Sequence, residues 1–298
     1  MLFTVASKKG ISLMFLVRHG ETRSNVEHRY HGQLDSPLTQ RGIAQAHAIG
    51  RHLATVLGAQ SVEIVSSPQP RALRTAELIR HHLSGVESLR TDDRLCEVSI
   101  GDWEGLNHDE IIALAAGVFD GDGRWEWCFQ APGGETYEAF AGRVGEFLCD
   151  INSAQSQSLI VVSHGILSRV LRGLYAGLPR LLALTLPIPQ DRIYRLSGGN
   201  IEEIKVHGDL RAPRILRAQP LPGLRLFVEF DDGVSGPAEI IDFIDTESAQ
   251  RLRDETLYRQ VLIDDFGAVR WITGGVLAPD ALYEQLRNSP NSRIKSCF

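Results

Sequence analysis

Two apolar runs in this chain end on the same dipeptide. Phe15-Leu16-Val17 leads straight into Arg18-His19-Gly20, and Leu159-Ile160-Val161-Val162-Ser163 leads into His164-Gly165. Neither run alternates apolar with polar residues, as a strand with one wet face would. Continuous runs of this length predict strands covered on both faces, which is the habit of parallel sheets. Each run then delivers an imidazole at its end.

The stretches between read as helices. Residues 38–57 carry Ile43, Ala46, Ile49, Leu53 and Leu57 at helical spacing, with Thr39 placed as the N-cap. Residues 68–83 open on Pro68 and Pro70, and residues 133–151 open on two glycines before an amphipathic run. Residues 62–67 read as another strand, and 191–206 as a hairpin turning at Gly198-Gly199. This alternation predicts an α/β fold, three-layered α/β/α around a mostly parallel sheet. Ligands of such sheets gather beyond the C-terminal ends of the strands. Arg18-His19, Ser66-Ser67 and Ser163-His164 all stand at such ends.

A length of 298 residues fits about two domains. Residues 1–218 hold 23 Lys+Arg and 24 Asp+Glu, whereas residues 219–298 hold 8 and 13. Net charge thus passes from −1 to −5, which places a boundary near Gln219. The expected domains are 1–218 and a small α+β domain over 219–298. In the latter, Asp232-Gly233 marks a hairpin and Pro279-Asp280 the start of a last helix. The acidic pairs Asp231-Asp232 and Asp264-Asp265 read as solvated turn residues.

A net charge of −6 argues against a nucleic-acid or anionic-membrane binder. No stretch reaches the ~20 consecutive apolar residues of a membrane span. In the N-terminal "MLFTVASKKGISLM", the lysines follow the apolar stretch instead of preceding it, unlike a signal peptide. Cys96, Cys128, Cys149 and Cys297 show no zinc spacing. The expectation is a cytoplasmic protein with reduced thiols, no metal site and no cofactor.

A phosphate monoester brings two negative charges, and catalysis of its hydrolysis is largely positioning and electrostatics. Without a metal, the site needs fixed cations around the phosphoryl oxygens, a neutral nucleophile and an acid for the leaving oxygen. Neutral imidazole suits the nucleophile, arginine the clamp and a carboxylic acid the proton donor.

The residues at hand resemble the signature of the histidine phosphatase superfamily, also called phosphoglycerate mutase-like, in "VRHGETRSN", "SSPQPRALRTAEL", "LCEVSIGDWEGL" and "VVSHGIL". The resemblance covers residues 13 to about 206. It implies His19 as the nucleophile that becomes phosphohistidine, with Arg18 and Arg71 as clamps. It further implies Glu97 as proton donor and His164 as second catalytic histidine, with Asn25, Gln33 and Gly165 contacting the phosphoryl group or substrate. "GDWEG" and "PGGET" resemble the phosphatase branch, including α-ribazole-phosphate types. The tail, about 220–288, resembles small bacterial domains of unknown function. It reads as a dimerisation element or a module for a protein partner.

Blander readings compete. Arg71 could pair with Glu77 on a helix surface, although Arg74 fits that better. Around Glu97 stand Asp92, Asp93, Asp102 and Glu104. Asn25 and Gln33 also suit turns and caps. His28, His47, His52, His81, His82 and His108 read as surface or packing residues, with His31 an exception beside Gly32-Gln33. A serine hydrolase built on Ser163 lacks the G-x-S-x-G elbow, since Val161 fills the first glycine position.

The segment 101–136 bears on hydrolysis against transfer. It is short and acidic, with Arg124 its one fixed cation. Mutases of the family carry a longer, more basic insertion there, so the expected activity is metal-independent hydrolysis of a small phosphorylated metabolite. The alternatives are phosphoglycerate mutase-type transfer, or a catalytically silent protein that binds phosphorylated ligands. Trp103, Trp125 and Trp127 are candidates for a pocket wall. Gln190 stands where many members of the family have an asparagine.

Overall fold

A computed structural model describes residues 13–153, 158–206, 214–231, 233–241 and 250–263, with the short stretches 269–271, 276–277, 279–288 and 293–294 beyond them. Contacts divide the chain into two units, Met1–Leu210 and Arg211–Phe298. The boundary expected at Gln219 falls inside strand β7 (Ile215–Leu221), which pairs with its neighbour β8 (Arg225–Phe230). The charge step lies later than the structural division because residues 211–218 carry Arg211, Arg214 and Arg217 and no acidic residue.

The first unit is built on a six-stranded sheet of order β3-β2-β4-β1-β5-β6. Its strands are β1 (Leu13–Arg18), β2 (Val62–Ser66), β3 (Val86–Thr91), β4 (Ser158–Ser163), β5 (Arg192–Ser197) and β6 (Asn200–Lys205). The first four are mutually parallel, and β5 alone runs against its neighbours. The continuous apolar run of β1 is explained by its two covers. Met14 and Leu16 face a cluster built on Phe140, Val144 and Phe147 of helix α5 (Tyr137–Ser153) and Leu167 and Val170 of helix α6 (Gly165–Ala176). Phe15 and Val17 face Ile49 and Leu53 of helix α2 (Gln40–Leu57) and Ala72 and Ala76 of helix α3 (Pro70–Arg80). Each large apolar side chain so buried contributes roughly 1.5–3 kcal/mol. The α/β/α layering is thus as expected, including the Thr39 cap, whose side chain accepts the Gly42 N–H at 3.0 Å.

The second unit holds a four-stranded antiparallel sheet, a three-stranded sheet and the helix Pro279–Asn288. Its core gathers Leu226, Val228, Phe230, Trp271 and Tyr283. Asp231 accepts the Arg214 N–H at 3.1 Å. Asp232, Asp264, Asp265 and Cys297 lie outside the described residues. No described helix is long and apolar enough to cross a membrane.

Candidate active site

Strand register assembles the site. β1 and β4 lie side by side with Arg18 opposite Ser163, so His19 and His164 emerge as neighbours one residue later. The His19 N–H donates to the Ser163 carbonyl at 2.8 Å, and the two imidazole centroids are 5.2 Å apart. Both rings are buried, His19 at 3 % exposure and His164 at 0 %. His19 Nδ1 lies 2.8 Å from its neighbour's carbonyl, Gly20 O. A carbonyl only accepts, so Nδ1 carries the proton and Nε2 keeps its lone pair. His164 Nε2 meets Ser67 Oγ at 2.8 Å, from the loop after β2.

The two arginines are fixed by backbone carbonyls. Arg71, 2 % exposed on the first turn of α3, donates to Leu34 O at 2.7 Å and Gly32 O at 2.8 Å. It therefore does not pair with Glu77, which Arg74 reaches instead. Arg18 donates to Ile188 O. Gly165 makes room for it: a Cβ there would meet Ile188 Cδ1 at 2.9 Å and stand 3.5 Å from Arg18 Nε. Nε of Arg18, Nε of Arg71 and Nδ1 of His164 are buried without a hydrogen-bond partner. Such groups are rare in native proteins and suit a site made for an anion.

Glu97 is singled out from its acidic neighbours by a helix terminus. His164 is the N-cap of α6 but gives no side-chain bond to it. Glu97 reaches in from another loop instead, accepting from Ile166 N at 3.1 Å through Oε2 and from Leu167 N at 3.0 Å through Oε1. These are two of the donors a helix leaves orphaned at its start. Oε1 also accepts from Val98 N at 3.1 Å. The Glu97 loop is held in turn by Arg143, which donates to the carbonyls of Arg94, Cys96 and Glu97 and pairs with Glu135 at 2.8 Å.

A cavity of about 530 Å³ opens over these groups, lined among others by Arg18, His19, Asn25, Arg71, Glu97 and Gly165. Fully buried His164 is not in its wall, and neither is Gln33. Gln33 is exposed, and its backbone N–H donates to Glu104 Oε1 at 2.9 Å. Gly32, at φ 52°, turns the chain so that His31 faces the cavity and Gln33 does not. His31 Nε2 is 2.8 Å from Thr22 Oγ1, and its ring stands edge-on to His19 at 6.3 Å. His28 and His108, read from sequence as surface or packing residues, also line the cavity. Asn25 closes a capping box with Thr22, and its Oδ1 accepts from Gln190 Nε2 at 3.0 Å. Sequence reasoning passed over Arg169, another lining residue. It lies four positions after Gly165 on α6, so helical spacing pointed to it.

Burial and the arginines set the protonation of the site. Burial lowers His19 well below its usual 6.5, helped by Arg18 and Arg71. His164 is lowered likewise by burial, then by Arg71 and His19. His31 is pushed down to about 4, chiefly by burial and then by Arg71 and Arg18. Burial also brings Arg18 down to about 10, still charged at neutral pH. Among the described residues, no three or more His, Cys, Asp or Glu are grouped to hold a metal ion.

The sequence pattern of the histidine phosphatase superfamily (branch 1) matches residues 14–203. The chain belongs to this family. Over 173 residues it is 35% identical to the adenosylcobalamin/alpha-ribazole phosphatase of Escherichia coli strain K12, covering 56% of this chain and 80% of that one. Over 175 residues it is 37% identical to the "Probable phosphoglycerate mutase GpmB" of Salmonella paratyphi C, covering 56% and 75%. Among solved structures, a mycobacterial glucosyl-3-phosphoglycerate phosphatase in complex with VO3 superposes with a TM-score of 0.54 at 32% identity, covering 65% of this chain and 96% of the other. The family match lies within the first unit, and the family's fold is the one described above.

Proposed function

We propose that the chain is a metal-independent phosphomonoesterase that hydrolyses a small phosphorylated metabolite through phospho-His19. The observation that carries this reading is the tautomer of His19: with Nδ1 donating to Gly20 O, the Nε2 lone pair is left for phosphorus. Arg18 and Arg71 hold the phosphoryl oxygens, and His164 adds a third contact. Nε2 attacks phosphorus, the ester P–O bond breaks, and Glu97 gives its proton to the departing alkoxide. Water then attacks the phosphohistidine, passing a proton back to Glu97 as the P–N bond breaks. A bound dianion offsets the arginines' effect on His164, favouring its protonated, donating form. Asn25 and Gly165 belong to the substrate contacts. In this reading the reaction runs in the cytoplasm, and the C-terminal unit serves dimerisation or a protein partner.

The likeness to GpmB favours a second reading, phosphoglycerate mutase-type transfer. Hydrolysis of a generic aryl phosphate in chelator, with His19→Ala alongside, tests the first. Turnover in chelator with loss in the variant is expected. Unchanged turnover in His19→Ala would sink the nucleophile assignment, and loss of wild-type turnover in chelator the metal-free one. Incubation with 3-phosphoglycerate then separates the readings, since only transfer yields the 2-isomer.

A further inference from the structure

The cavity has two parts of different chemistry. One part is the cup of Arg18, His19, His31 and Arg71. The other part is aromatic and apolar, with Tyr30, Trp127 and Ile166 in its wall beside the almost fully buried Val98 and Ile100. Trp127 packs at 4.2 Å from the Tyr30 ring, stacks parallel to the buried Trp103 at 6.4 Å, and meets Phe119 at 5.5 Å. His108 also packs against Phe119, with ring centroids 4.1 Å apart. This wall is preformed. Tyr30 N donates to Leu106 O at 2.9 Å and Gly105 N to Tyr30 O at 2.7 Å, tying the Tyr30 segment to the loop before the helix His108–Leu114.

Of the two arginines beside this apolar part, Arg29 is already paired. Arg29 pairs with Glu110 at 2.9 Å and donates to Gly105 O at 2.8 Å. Arg169 donates its Nε to Leu186 O at 2.6 Å and lies over the Trp125 ring at 5.6 Å. Glu97, the carboxylate in the lining, caps α6. A second acidic group placed at Arg29 would therefore compete with Glu110. Against Trp127 and Ile166 a polyol would find few hydrogen bonds. A flat apolar ring gains both area and stacking.

The geometry points to phosphate esters whose alcohol carries an aromatic or heteroaromatic ring as the substrate class, the ring lying on Trp127 and Tyr30. This rests on the hydrolase reading, and the test separates the two. In the full chain, kcat/KM is measured for 2-phenylethyl phosphate and glycerol 3-phosphate. Both are alkyl esters, so the comparison reads the wall and not the leaving group's acidity. A preference of roughly tenfold or more for the ring is expected. Trp127→Ala should cut that ratio to about twofold, and Trp127→Phe should keep most of it. Equal or reversed preference, or a ratio untouched in Trp127→Ala, overturns the assignment. Calorimetry with 2-phenylethylphosphonate against propylphosphonate reads the wall without turnover. Tighter binding of the aryl compound with neither ester hydrolysed would fail the hydrolase reading alone. Equal binding of the two phosphonates would fail the substrate class, whatever the turnover.

Discussion

Gln190 ties Asn25 to the backbone of His19. Its Nε2 lies 3.0 Å from Asn25 Oδ1 and 3.3 Å from the His19 carbonyl. One amide thus spans the loop before β5, the end of β1 and the short helix Arg23–Val26. An asparagine is one methylene shorter than Gln190 and at this backbone position would fall short of these two oxygens.

Gln190→Ala should lower kcat/KM roughly five- to tenfold, the loss of about 1 kcal/mol of neutral hydrogen bonding. As a positioning residue it should act on kcat more than on KM, and Gln190→Asn should not restore the rate. Steady-state kinetics on an aryl phosphate check this. A change confined to thermal stability would reduce Gln190 to packing.

Arg71 should not tolerate lysine. Its planar fork spans two carbonyls, Leu34 O and Gly32 O, while Nε remains buried without a partner. A lysine is a single point charge and cannot fill three directions in a plane. Arg71→Lys is expected to lose at least about a hundredfold in kcat/KM, comparable to loss of a preorganised electrostatic donor. Retention of more than a tenth of the activity would mean that charge alone suffices.

Much of this was legible in the sequence because strand ends are. The uninterrupted apolar runs pointed to two central parallel strands, and the shared His-Gly ending marked the strand ends beside which the cavity opens. Legibility failed where a single turn decides direction. His31 and Gln33 flank Gly32, and only the left-handed φ of that glycine shows which of them faces inward. It failed again for Arg143 and Gln69, whose partners are backbone atoms distant in sequence: Gln69 Oε1 accepts from Glu97 N at 2.8 Å while its Nε2 donates to Gly32 O at 3.2 Å. No local pattern encodes such a bridge.

Acid should destabilise the protein before most carboxylates titrate. His19, His31 and His164 are all held below the usual imidazole value. The unfolded chain therefore takes up protons near pH 6.5 that the native state still refuses, so stability rises with pH across that window. Its full value is present above about pH 6.5, and it declines as pH falls toward 4. Urea unfolding midpoints between pH 7.5 and 5 should show this decline, with a shallower slope in His31→Gln. Midpoints that stay level over that range would show that these imidazoles charge freely in the native state.

Glu97→Gln separates the capping role from the acid role. A carboxylate has about four lone-pair sites, and three N–H donors leave one for a proton. Glutamine keeps one acceptor oxygen but turns an NH2 group toward backbone N–H donors, so some destabilisation is expected whatever the chemistry. A good cap alone is worth about 1 kcal/mol, and its loss should affect all substrates alike. Loss of the acid should not. An alkyl leaving group needs the proton, and its kcat should fall about 10²–10⁴-fold. p-Nitrophenolate leaves unaided, and its ester should lose far less. The measurement is therefore the ratio of the two kcat effects in Glu97→Gln, taken below its melting temperature. A ratio near one would assign Glu97 to the helix cap and move the proton donor to another residue of the cavity.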